Sequence, residues 1–186
     1  MRRQQRETGS RSSNGYRFGK EETSRVSSQL RQLKAHLAEP ENFAPYGQVI
    51  YPVPDHKPFD SQDAQLVLNQ GQPRFYLMRL PRRGLKFSQI THHTRCTQCL
   101  GSLHGKEWFI AVAPPADELQ VDEIQAFRVP GDRFIKLEMG TWHAGPYFDH
   151  EEFIDFYNLE LADTNLTDRE TINLLQTYNL EFQIVP

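Results

Sequence analysis

Three histidines and two cysteines fall within Ile90 to Gly105, ITHHTRCTQCLGSLHG, a stretch whose side chains could serve a metal, a thiol redox pair or a proton relay. A structural zinc site needs four N or S ligands, usually from two spaced pairs, and the chain has no second cysteine pair. A redox Cys-x-x-Cys works when a helix N-terminus lowers the first thiol's pKa, whereas LGSLHGKEWFIAV after Cys99 reads as turn and strand. Cys96 and Cys99 are therefore expected to be small residues of a barrel wall. His92 and His93 are adjacent, and neighbouring side chains on a strand point to opposite faces, so only one of them can look into a cavity.

A second informative stretch is EMGTWHAGPYF, where Gly140 permits a tight turn and His143 follows Trp142. One histidine beside a tryptophan usually belongs to a core. Two such histidines on separate strands of a small barrel call for a joint reading.

Taken in order, the two stretches resemble the paired motifs of the cupin superfamily. Thr91-His92-His93, Gln98 and Gly105 keep the spacing of the first motif, and Glu138 to His143 keep that of the second. Thr91 stands where the first motif has a histidine, and Gln98 where it has a glutamate. Within the cupins the chain resembles the ureidoglycolate lyase family through EPENFAPYGQVI, the His93 to Gln98 segment, EWFIAVAPP, AFRVPG, GTWHAGP and the pair Asp155-Phe156. It departs from that family in having no acid shortly before His93, and in carrying NLELADTN where the family has Asp-Arg-Gly and a later Asn-Cys.

The resemblance implies cleavage of ureidoglycolate to glyoxylate and urea in purine nitrogen catabolism. His93 and His143 would be base and acid, in either order, because an imidazole titrates near neutrality and suits both roles. It implies Arg79 as the anchor for the substrate carboxylate, with Lys136 as the second candidate and Gln98 as a partner of the ureido group. It also implies a metal set of His93, Gln98 and His143, which as two strong ligands and one neutral amide would hold a divalent ion weakly; no organic cofactor is expected. Two other readings remain beside the lyase: a cupin isomerase or dioxygenase acting on another small acid, and a cupin that binds a small molecule without turnover.

The elements that must position these residues are strands. VLNQGQPRFYLMRL, EWFIAVAPP, IQAFRVPG, RFIKLEMG, FIDFYNLEL and NLEFQIV are rich in β-branched and aromatic residues and are bounded by turn residues. Short strands at this spacing predict an all-β fold, an RmlC-like cupin jelly-roll barrel with few short helices. Helices are expected at Leu30, Leu33 and Leu37, ended by Pro40, and over DRETINLLQTY, Asp168 to Tyr178. Asp155 and Glu160, at opposite parity on one strand, cannot both face the cavity.

The chain has 186 residues and suits one domain, residues 35–186, behind a basic disordered tail, residues 1–34. The tail holds nine Lys and Arg and three Glu, which leaves the domain 12 of the 21 basic and 21 of the 24 acidic residues. An acidic domain does not suit a nucleic-acid surface. No apolar run reaches the roughly 18 to 20 residues that span a bilayer, and no apolar core follows the N-terminal arginines. The expected partner is thus a small-molecule substrate, with neither nucleic acid nor membrane. The expected compartment is the cytoplasm, or an organelle if the Arg- and Ser-rich tail is a transit peptide. The resemblance adds a homodimer.

Overall fold

The structure is a computed structural model, and it describes residues 28–186. Thirteen strands are present among them. In chain order they are β1 (Gln29–Leu37), β2 (Gly47–Ile50), β3 (Pro73–Pro81), β4 (Lys86–Phe87), β5 (Gln89–His92), β6 (Gln98–Ser102), β7 (Gly105–Ala113), β8 (Gln125–Gly131), β9 (Phe134–Leu137), β10 (Trp142–Tyr147), β11 (Phe153–Leu161), β12 (Glu170–Asn173) and β13 (Leu180–Val185). The helices are single turns: α1 (Pro40–Phe43), α2 (Thr164–Thr167) and α3 (Leu174–Tyr178). No helix among the described residues is long and apolar enough to cross a membrane.

The strands form an eight-stranded sheet, β12-β5-β10-β7-β8-β1-β13-β4, and a five-stranded sheet, β2-β9-β6-β11-β3. The six strands read from the sequence are all present, as β3, β7, β8, β9, β11 and β13. The alternation along β7 shows how the core is divided. Trp108, Ile110 and Val112 point between the sheets, where they meet Leu100, Ile135, Leu137 and Phe156 from the five-stranded sheet. Phe109, Ala111 and Ala113 point to the back of the eight-stranded sheet, into a second core with Phe87, Ile90, Trp142, Leu174 and Phe182. β7 is therefore buried on both faces, which explains its nearly continuous apolar sequence.

Two expectations need correction. The Leu30, Leu33 and Leu37 pattern is not a helix: Gln29–Leu37 is β1, in which Leu33, Ala35 and Leu37 alternate inward. It pairs in parallel with β13 and then with β8, and this tertiary pairing outweighs a local 3 and 4 spacing. The tail boundary at residue 34 consequently falls inside a strand, while the reading of residues 1–27 lies outside the described residues. Only the second half of DRETINLLQTY is helical. Thr171 and Ile172 pair with Thr91 and Ile90 as part of β12, and α3 begins at Leu174.

Candidate active site

His93 lies just beyond the end of β5 and His143 on β10, next to it in the sheet. Both line a cavity of about 240 Å³ between the two sheets, together with Thr91 and, from the opposite sheet, Gln98 of β6. The His93 and His143 ring centroids are 5.2 Å apart. Strand parity sends His92 the other way, where it stacks on Trp142 at 3.8 Å and meets Glu170 at 3.1 Å. His104 sits exposed in the turn before β7, at φ 58°. Cys96 is buried near Thr164, and burial pushes the Cys99 thiol up to about 11, so Cys99 is not a ready thiolate.

Backbone carbonyls set the tautomers of the paired imidazoles. His93 Nδ1 donates to the carbonyl of Asp168, and His143 Nδ1 donates to that of Thr141 at 3.1 Å. A carbonyl only accepts, so in each neutral ring the hydrogen sits on Nδ1 and Nε2 keeps its lone pair for the cavity. Burial, reinforced by the neighbouring His93, lowers His143 to about 3 and holds it neutral at physiological pH. Asp168 also fixes the turn after His93. Its carboxylate accepts from the backbone N–H groups of Thr94 and Arg95, both at 2.8 Å, and from the Thr94 hydroxyl at 3.0 Å.

Gln98 brings an amide to the lining from the opposite sheet. Its Nε2 donates to Glu160 Oε2 at 2.9 Å and to Asn158 Oδ1 at 3.2 Å, while its buried Oε1 has no partner among the described residues. Glu160 and Asn158 come from β11 and face the cavity, whereas Asp155, at the other parity, faces outward. Tyr76 completes the group, donating to Glu160 at 3.1 Å and accepting from Asn158 at 2.9 Å. Arg83 and Arg169, both exposed residues, contribute positive charge to the lining. Arg83 is held by the Pro146 carbonyl at 3.1 Å.

The two expected anchors do not reach this cavity. Tyr76, Met78 and Leu80 of β3 line it, so Arg79 must point outward, where it makes a bidentate pair with Asp155 at 2.8 Å and lies over Phe153. Lys136 is fully buried, but it is opposite in parity to the core residues Ile135 and Leu137 and is neutralised by Glu138. Arg83 and Arg169 escaped notice because they lie outside the strands that carry the motifs. Asn158 and Glu160 did leave a signal, since they alternate with Leu159 on a strand whose Phe156 faces the core.

No group of three His, Cys, Asp or Glu side chains placed to hold a metal occurs among the described residues. With Gln98 Oε1 closed off from the cavity, the two Nε2 lone pairs are a neutral pair of donors that would hold a divalent ion only loosely.

Two curled sheets enclose a cavity with a histidine pair on one wall and an amide–carboxylate cluster on the other, the form of a jelly-roll β-barrel. The family described as ureidoglycolate lyase matches residues 76–181, more than half of the chain, and the chain belongs to that family. No curated protein sequence matches the chain. Among solved structures, a dTDP sugar isomerase from Desulfovibrio desulfuricans G20 is similar, with 14% identity, a TM-score of 0.43, and coverage of 69% of this chain and 85% of that one.

Proposed function

We propose that the cavity splits ureidoglycolate into glyoxylate and urea. The observation that carries this reading is the polarity of the lining. Two arginines in the lining suit a carboxylate, while His93 Nε2 and His143 Nε2 present lone pairs to a ligand rich in N–H groups. Ureidoglycolate has a carboxylate at one end and a ureido group at the other.

The reaction is collapse of a carbinolamine. The hydroxyl loses its proton, the C–N bond breaks as the aldehyde C=O forms, and the departing nitrogen takes the bonding pair and a proton; no water is consumed. Arg169 and Arg83 hold the carboxylate. His143, kept neutral, accepts from a ureido nitrogen. His93 Nε2 receives the hydroxyl proton and returns it to the leaving nitrogen, with Asp168 holding the ring in place through Nδ1. A divalent ion, where bound, would be held by the Nε2 atoms of His93 and His143 in place of their contacts to substrate, and would polarise the substrate hydroxyl.

The test is release of glyoxylate and urea from ureidoglycolate by the purified protein, run with and without chelator and added divalent metal. His93→Ala should lower kcat by about 10²- to 10⁴-fold, the usual worth of a general acid–base group. A folded wild-type protein with no turnover under every metal condition sinks the lyase reading.

A further inference from the structure

The base and the cation of the site reach the cavity from different elements, and sheet pairing includes neither of them. His93 lies one residue beyond the end of β5, and Arg169 one residue before the start of β12. We propose that Asp168 is a positioning residue whose side chain clasps these two ends together, turning the His93 ring and holding Arg169 at the lining; this rests on the roles given to both residues above.

Asp168 is buried, and three of its groups take part. Its carboxylate uses both oxygens: Oδ1 accepts from the backbone N–H of Thr94 at 2.8 Å and from the Thr94 hydroxyl at 3.0 Å, and Oδ2 from the backbone N–H of Arg95 at 2.8 Å. Two successive N–H groups thus converge on one side chain, which ties the turn after His93 to the segment between β11 and β12. Its main-chain carbonyl, brought to the same turn, accepts from His93 Nδ1. Its peptide bond leads into Arg169, which is fixed on the other side by the pairing of Glu170 with His92. The main chain of His93 is held separately, because its carbonyl accepts from the N–H of Gly140 at 2.6 Å. What the clasp adds at His93 is therefore the direction of the ring. Arg95 secures the far end of the segment, where its guanidinium donates to Asp163 at 3.0 Å and to the Thr167 hydroxyl at 2.7 Å. The carboxylate of Asp168 remains the tie nearest to both functional side chains. His143 serves as an internal control, since its Nδ1 donates to the carbonyl of Thr141, outside the clasp.

The tautomer of His93 reports the clasp without any need for turnover. It is read by NMR of the full chain labelled with 15N in its histidines, the His93 and His143 signals being assigned with His93→Gln and His143→Gln. In the wild type both rings should carry their hydrogen on Nδ1. In Asp168→Ala the carbonyl survives but loses its tie to the turn, so His93 should become a mixture of tautomers while His143 stays as it was. Asp168→Asn, which keeps one acceptor oxygen, should fall between the two. Kinetics add the second half: Asp168→Ala should lower kcat about 10²-fold, the usual effect of a small misplacement of a reacting group, and raise KM by less than the loss of Arg169 itself does. A folded Asp168→Ala that keeps the His93 hydrogen on Nδ1 overturns the proposal, and so does a wild-type His93 protonated on Nε2. A change of equal size at His143 would mean general loosening and overturns it too. A fall in kcat with KM at its wild-type value removes the hold on Arg169. If Asp168→Ala does not fold, Asp168→Asn decides by the same His93 signal. A protein that releases no glyoxylate or urea sinks the lyase reading, while the tautomer measurement still decides the role of Asp168.

Discussion

His93 and His143 are alike in type, but their surroundings leave them different work. The protein keeps His143 uncharged by burying it beside another imidazole, and the proposed mechanism accordingly gives the proton transfer to His93. The cationic end of the site is likewise decided residue by residue. Arg169 lines the cavity and takes no carboxylate partner among the described residues, whereas Arg79 is already neutralised by Asp155 on the outer face. Steady-state kinetics should therefore show Arg169→Ala raising KM about 10-fold with a smaller change in kcat, as expected when one charge-assisted contact to the substrate carboxylate is lost. Arg79→Ala should leave both constants unchanged. The histidine pair was legible in the sequence because parity on one strand separates His92 from His93. Arg79 was misplaced because β3 is apolar on both faces. Phe75 and Leu77 are exposed while Met78 and Leu80 face inward, so alternation gave no sign of which side the arginine joins.

At the scale of elements, the strand-like stretches bounded by turn residues are where the sequence spoke most clearly, since β-branched and aromatic residues there coincide with real pairing. The short strands β2, β4, β5 and β12, of two to four residues, carry too little pattern to stand out and exist through their partners. β1 shows the same dependence in a longer strand: its leucines fit either period until β13 and β8 are in place. The β7–β8 pairing, which carries the core, closes at Gly105 and Gly131. A Cβ on Gly131 would lie 2.0 Å from the carbonyl carbon of Gly105, and no side-chain rotation can relieve a clash with backbone. Gly131→Ala should lower stability by about 1 to 3 kcal/mol, the cost of overpacking a fitted site, read as a fall in the denaturation midpoint.

The molecule as a whole leaves one long strand at the border of a sheet. Among the described residues β3 pairs only with β11, and its outer face shows Phe75 and Leu77 at 65% and 58% exposure, with Tyr157 stacked on Phe75. An apolar edge of this kind invites pairing, and two-fold pairing is its simplest closed form. We expect a concentration-dependent homodimer in sedimentation experiments and a monomer for Leu77→Lys, with ligand binding intact because residue 77 points away from the cavity. A monomer at all concentrations in the unaltered chain would discard this arrangement.

The placing of β1 between β8 and β13 also bears on how the chain is made. Gln29 lies opposite Leu180, and Leu33 opposite Ile184, so the earliest strand among the described residues takes one neighbour from the last. While the protein is being synthesised, β1 leaves the ribosome long before β13 exists, and its first half must wait, exposing Leu33, until residues 180–185 have emerged. Closure of so distant a contact slows folding, typically into the millisecond-to-second range for β topologies. During that interval a nascent chain offers chaperones an unpaired strand that the finished molecule conceals.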